Sequence, residues 1–298
     1  MDKLDERGAA TRNPLAAAPA LAVQFFLIPL TVVALTVTVY VGFRSLLADE
    51  KSPSDYLSEI RNGGSDRRWP AAYELSRQMS NPTVRKDKSL AAALVKAFDG
   101  SKGDADVRRY LALAIGRLDP PLPPDALTSL TDALGDADSQ TRISVLWALG
   151  SSGDEAVVPR LIPLYQAQES DPGIRKMVVY ALGALPGDTQ VDTLRMALQD
   201  ETADVRWNAA VALARHGRSE GASVLHQMLD RAYVERTVKR EVRQDSDQDP
   251  IADVMISGIR AGAAIKDVSL KPAIEALSQQ DRSMKVRQAA FEALRVMG

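Results

Sequence analysis

The side chains with the most chemistry to offer in this sequence are arginines at near-constant spacing. Arg108, Arg142, Arg175 and Arg206 follow one another at almost equal intervals, and Arg287 closes the series. A guanidinium is a planar fork of N–H donors, so a regular row of them can grip the phosphates or carboxylates of a ligand, or pair with the protein's own acids. Acids stand near every member: Asp104, Asp138, Asp171, Asp204 and Asp281. That proximity favours a structural ladder over a ligand-binding row, with Arg108, Arg142, Arg175, Arg206, Arg287 and Asp171 as its expected parts. Other reactive groups are scarce. Cysteine is absent and the histidines are two, His216 and His226, with no His–Glu pair, which removes thiol chemistry and leaves too few ligands for a zinc site. No glycine loop ends in Lys–Ser/Thr and no Gly–x–Ser–x–Gly elbow is present, so the commonest phosphate and acyl-transfer motifs are missing. Neither an enzyme nor a bound metal or cofactor is expected.

The arginines belong to recurring segments. DADVRRYLALAIG (104–116), ADSQTRISVLWALG (137–150), DPGIRKMVVYALG (171–183), ADVRWNAAVALAR (203–215) and SMKVRQAAFEALR (283–295) each place apolar residues three, six and seven positions after the arginine. That is one face of a helix, and the interval from one copy to the next is the length of one helical hairpin. Two weaker copies fill the gaps: Arg68 in RWPAAYELSR, and DVMISGIRAG, where Asp253 stands at the arginine position. About seven hairpins result, the sixth preceded by about fourteen additional residues. Second helices follow as stripes at Leu127, Leu130 and Leu134, at Val158, Leu161 and Tyr165, and at Val224, Leu225 and Met228. Gly150, Gly183 and Gly217 fall just past helical runs, where a left-handed residue is favoured. Trp69, Trp147 and Trp207 lie within first helices, where core side chains are expected.

The pattern Asp–x₃–Arg–x₂–apolar–x₂–Ala–Leu–Gly, complete at Asp171, Arg175, Val178, Ala181, Leu182 and Gly183, resembles the bacterial HEAT repeat, including the subgroup related to phycobilisome lyase repeats. The resemblance covers roughly residues 54–298. It implies an all-α solenoid, and it implies that arginine and aspartate form a ladder between adjacent repeats. Asp253 departs from the pattern and implies a ladder broken at the sixth repeat. The missing His–Glu pairs set the chain apart from the iron-dependent HEAT hydroxylases.

The amino-terminal region is of another kind. No charged residue occurs from Asn13 to Phe43, and within Leu21–Phe43 the one strongly polar side chain is Gln24. As a helix that segment would reach about 34 Å, enough to cross a hydrocarbon core of roughly 30 Å. It is longer than the apolar core of a cleaved signal peptide, and Leu46 stands where a small residue is wanted at a cleavage site. The expected organisation is a tail over 1–20, a transmembrane helix over 21–43, a linker over 44–53 and the solenoid over 54–298. Lys3, Arg7 and Arg12 before the span equal Arg44, Lys51 and Arg61 after it, so the side of the membrane stays open.

Lys and Arg total 37 against 39 Asp and Glu, a net charge of -2, and so no overall positive field recruits nucleic acid. Two segments depart from the repeat. Asp230–Asp249 has eleven charged residues in twenty, and reads either as a tolerated surface insertion or as a partner-docking element through Tyr233, Arg236, Lys239 and Arg240. Ile60–Arg77 carries Arg67, Arg68 and Trp69, which could meet lipid headgroups or another membrane subunit. The function expected is that of a non-enzymatic scaffold in the cell membrane: lipid contact through residues 21–43, and a concave face and insertion that bind partner proteins, integral membrane subunits above all. A lyase-like enzyme acting on a chromophore or protein, and a nucleic-acid-binding solenoid, are the alternatives.

Overall fold

The computed structural model describes residues 27–47, 51–167, 171–238 and 249–298. The chain divides into two units, Met1–Ser52 and Pro53–Gly298.

In the first unit the described element is α1, Ile28–Leu47. Its large apolar side chains are exposed along the helix, with Leu30 and Leu35 about two-thirds accessible. Thr36 and Thr38 turn their hydroxyls back onto the carbonyls of Val32 and Ala34, at 2.8 Å each, so these hydroxyls compete little with the helix's apolar character. Among the described residues, however, no helix is long and apolar enough to cross a membrane. The transmembrane helix expected over 21–43 is corrected to that extent. Residues 21–26 lie outside the described ones, and Arg44 is inside α1 rather than beyond it. The uncharged part, Ile28–Phe43, reaches only about 24 Å, short of a core of roughly 30 Å.

The second unit is helical throughout its described length. After α2 (Pro53–Asn62) come seven first helices at the positions the repeats indicate: α3 (Ser65–Gln78), α6 (Ala105–Ile115), α8 (Ser139–Gly150), α10 (Pro172–Ala184), α12 (Ala203–Arg215), α15 (Pro250–Ala264) and α17 (Met284–Met297). Six have a second helix after them: α5 (Lys88–Asp99), α7 (Pro124–Asp132), α9 (Val158–Gln166), α11 (Val191–Ala197), α13 (Ala222–Leu229) and α16 (Lys271–Gln280). The seventh, α17, is followed in this sequence only by Gly298, so six hairpins are complete within the described residues. Two further helices, α4 (Pro82–Arg85) and α14 (Arg231–Thr237), sit in connections.

Successive first helices pack on one another in the order α3, α6, α8, α10, α12, α15, α17, and each second helix packs against the first helix that follows it. The repeated apolar positions explain this. Val107, Leu111 and Ile115 of α6, and Val178, Ala181 and Leu182 of α10, are fully buried. One hairpin cannot enclose such a stripe, so each borrows cover from its neighbours. Helix starts are fixed by aspartates: Asp104 caps Val107 N, Asp138 caps Thr141 N, Asp171 caps Gly173 N and Asp249 caps Ala252 N. Each satisfies an amide that the first turn leaves without a carbonyl.

The Ala–Leu–Gly signature has a packing cause. A Cβ on Gly116 would fall 2.6 Å from the Cα of Ala148, and one on Gly150 2.8 Å from that of Ala181; on Gly183 it would collide with the Cβ of Ala212. Each glycine therefore receives the alanine of the next repeat, and two first helices approach with nothing larger than a methyl group between them. The expectation of left-handed caps at Gly150 and Gly183 is corrected: both lie within helices, α8 and α10. Gly217, with φ +68°, is left-handed as expected.

Candidate functional site

Arginine–aspartate pairs between neighbouring repeats are present, and some of their acids are not the expected ones. Arg108 donates from Nε to Asp136 Oδ2 at 2.8 Å and from Nη1 to the Phe98 carbonyl at 3.0 Å, with its guanidinium 4.2 Å from the Phe98 ring centre. Arg175 donates to both oxygens of Asp200, at 2.9 and 3.0 Å, and also to Glu201 and Thr202. Asp136 and Asp200 stand two residues before the cap of the next first helix, and each also accepts a backbone N–H two residues on, from Asp138 and Thr202. An arginine of one repeat thus clamps the loop that launches the next. Asp104, Asp138 and Asp171, proposed from the sequence as rungs, are helix caps. Asp104 pairs as well with Arg68 at 3.2 Å, and Asp138 lies 3.7 Å from Arg109.

The other expected members vary. Arg206 donates to the carbonyls of Asp200 and Glu201 and to the Tyr233 hydroxyl. Arg287 donates to the Asp281 carbonyl and contacts Met284. For Arg142 the matching loop position, residue 169, lies outside the described residues. Asp204 pairs with Lys176 at 3.3 Å.

At the sixth repeat, where Asp253 replaces arginine, the ladder is not broken. Asp281 occupies the loop position, accepts the N–H of Ser283, and is met by Arg231 through two bonds of 2.8 and 2.6 Å. Arg231 opens α14, the described part of the charged insertion, where Asp230 caps Ala232 and Tyr233. The insertion therefore supplies the missing guanidinium. Of the partner contacts expected there, Tyr233 is half-buried on Arg206, Arg236 is exposed, and Lys239 and Arg240 lie outside the described residues.

These pairings set the electrostatics. Burial pushes the Asp200 carboxyl up, but the Arg175 fork and the Thr202 N–H outweigh it and hold the group below the ordinary aspartate range. Burial, then the neighbouring Asp200, pushes the Tyr165 hydroxyl up to about 12. Near neutrality the acid is ionised and locked, and the phenol keeps its proton. Neither is poised to move a proton. A hollow of about 530 Å³ opens beside them, lined by Tyr165, Arg175, Met196, Asp200 and Glu201. Among the described residues no group of acids and histidines could hold a metal. His216 and His226 lie near Gln190 and Ser269, at 3.5 and 3.3 Å.

A second constellation lies on a partly exposed side of the first helices. Five residues after the ladder arginine come Tyr73, Leu113, Trp147, Tyr180 and Val211, and nine after it come Arg77, Arg117, Ser151, Ala184 and Arg215. Trp69, the expected partner contact, is 45% accessible and stacks on Tyr110 at 6.5 Å, while Tyr73 meets Tyr110 edge-on at 5.3 Å. Arg68 reaches back to the Ile60 carbonyl at 2.9 Å, and Arg67 is exposed beside it. Trp207 is buried as expected, whereas Trp69 is not core. Of these side chains the sequence indicated Arg67, Arg68 and the three tryptophans; the rest were missed because the shared position emerges only when the copies are aligned on the ladder arginine.

The family model for HEAT repeats matches residues 91–169 and 163–245, more than half of the sequence. The chain belongs to the HEAT-repeat family. Among solved structures, this HEAT protein is similar to the complex of CpcE and CpcF of phycocyanin lyase from a Nostoc species, with 17% identity and a TM-score of 0.56 over 84% of this chain and 95% of that one. It also matches human deoxyhypusine hydroxylase in complex with glycerol (20% identity, TM-score 0.35, 85% and 98% coverage) and a designed armadillo repeat protein (15%, 0.36, 83% and 100%). At these identities the first likeness is one of fold, and the other two fall below the similarity on which fold is argued. No curated protein matches the chain by sequence.

Proposed function

We propose that this HEAT protein is a non-enzymatic scaffold whose exposed first-helix face binds a partner protein, as a subunit or accessory factor of a larger assembly. The observation that carries this reading is the pair of exposed aromatic side chains on that face, Trp69 and Tyr73, continued along the stack by the half-buried Trp147 and Tyr180. Stacked repeats give an extended surface, and aromatic anchors are what such surfaces use to hold a partner. The displaced Asp200 carboxyl and Tyr165 hydroxyl are tied into a loop clamp, which favours binding over turnover there.

For its place, we propose association with a membrane surface through the apolar segment 21–43, because the exposed side chains of α1 call for apolar cover. A protein found wholly in the soluble fraction after cell lysis, with or without residues 1–52, would remove this part. The scaffold reading itself is tested by cross-linking in cells, followed by the same experiment on a Trp69→Ala/Tyr73→Ala variant. Loss of specific cross-linked partners is expected; an unchanged pattern counts against it.

A lyase-like activity on a chromophore or protein substrate is the second reading, favoured by the fold shared with the phycocyanin lyase complex. It calls for a bound pigment or measurable transfer, and a colourless, inert protein removes it.

A further inference from the structure

Four side chains from four successive first helices form a symmetric group. Arg117, just beyond α6, lies over the ring of Trp147 on α8, at 5.7 Å from its centre. Arg215, at the end of α12, lies over the ring of Tyr180 on α10, at 5.8 Å. The two arginines therefore lean toward each other from the outer helices across two rings at the same register position on the inner ones. Between them, at the register the arginines occupy, stand the small residues Ser151 and Ala184. Arg117 donates to the Ser76 carbonyl at 3.0 Å, and neither guanidinium has a carboxylate partner among the described residues. A cation that lies over a ring and has no carboxylate partner keeps its remaining donors for an incoming acid.

We propose that this quartet is the recognition site for an acidic segment of the partner protein, one whose two carboxylates flank an apolar or aromatic residue. This rests on the scaffold reading and names the chemistry of the partner. Helices packed about 8–10 Å apart, with each guanidinium displaced inward over a ring, set the two cations roughly 10–20 Å apart. An extended peptide rises about 3.3 Å per residue, so the matching carboxylates are about three to six residues apart. The residue between them lies over Trp147 and Tyr180, where an aromatic or aliphatic side chain gains most.

The probe is a fluorescent synthetic peptide carrying two glutamates four residues apart around a leucine–tyrosine pair, titrated into the full chain by anisotropy. The expected result is saturable binding that weakens with salt, is lost when both glutamates are replaced by glutamine, and falls roughly tenfold or more in an Arg117→Gln/Arg215→Gln variant. Arg215→Gln alone touches no hydrogen bond and controls for folding; it is expected to weaken binding several-fold while thermal unfolding stays unchanged. Equal binding of the glutamate and glutamine peptides, or preference for anionic vesicles or a single-stranded oligonucleotide over the peptide, overturns the proposal. The scaffold reading fails separately: if cross-linked partners survive in the double-arginine variant, only the acidic-segment assignment falls, whereas loss of all partners in the wild type removes the reading beneath it.

Discussion

The middle of the solenoid and its carboxyl-terminal end solve one problem in two ways. From α6 to α12 the loop aspartates are clamped by an arginine of their own repeat, as in Arg108–Asp136 and Arg175–Asp200. Beyond α13 the repeat arginine is replaced by Asp253, and the clamp on Asp281 comes from Arg231, fifty residues away in sequence. Arg231 grips Asp281 with the same two-pronged geometry as Arg175 on Asp200, and all three aspartates accept an N–H two residues later. A buried carboxylate must find a cation and hydrogen bonds wherever the chain can provide them. The regular repeats provide them locally, and the end provides them through an inserted helix. The repeat, then, meets a requirement of its loops rather than keeping a residue at a fixed position.

The largest effect should come from removing either clamp. Arg175→Ala and Arg231→Ala each leave a carboxylate that is nearly sealed from water, and each is expected to cost about 3 kcal/mol of stability in chemical denaturation. Because repeats lean only on neighbours, hydrogen exchange should speed up mainly over α15–α17 in the second variant. If Arg231→Ala costs less than about 0.5 kcal/mol, the insertion is decoration and the equivalence of the two ends is lost. Placing Asp253→Arg in the Arg231→Ala background should restore part of the stability.

Acid should test the clamp in the middle of the stack. The Asp200 carboxyl sits below its ordinary value of 3.8 in the folded chain. Its contribution is therefore present in full above that value and is lost as pH falls through the lower folded one. An Asp200→Asn variant, less stable at neutrality, should lose less than the wild type between about pH 5 and pH 2, followed by circular dichroism; a parallel loss would show that this clamp does not govern acid unfolding.

Smaller effects sharpen the packing side of the comparison. Gly183→Ala forces α10 and α12 apart, and overpacking of this kind costs about 1–2 kcal/mol even after the gain in helix propensity. The corresponding position in α12 is Ala214, already a residue with a Cβ and buried, so Ala214→Gly should destabilise through helix propensity and the lost packing of one methyl, about 1–2 kcal/mol together. Gly183→Ala leaving the melting temperature unchanged would mean that the close approach is not required. Asp138→Ala, which removes the cap on Thr141 N, is expected to cost about 1 kcal/mol.

The two segments that depart from the repeat are visible in the sequence as departures but not as roles. Charge density alone marks Asp230–Asp249, and a charged surface loop and a structural helix have the same composition. Only the placement of Arg231 against Asp281 separates them. In the same way Ala–Leu–Gly is legible as a signature, yet local context assigns its glycine to a cap, because helix ends are where glycine is commonest. The alanine it receives lies in the next repeat, a distance along the chain at which no local rule operates.

What the sequence determined by itself was periodicity: all-helical hairpins of near-constant length, since this follows from neighbours along the helix. What the tertiary structure decided was which partner each charge meets and which rings stay open. Those depend on how one helix is rotated and offset against the next, and that rotation is set by the sum of contacts along the stack, not by any single segment.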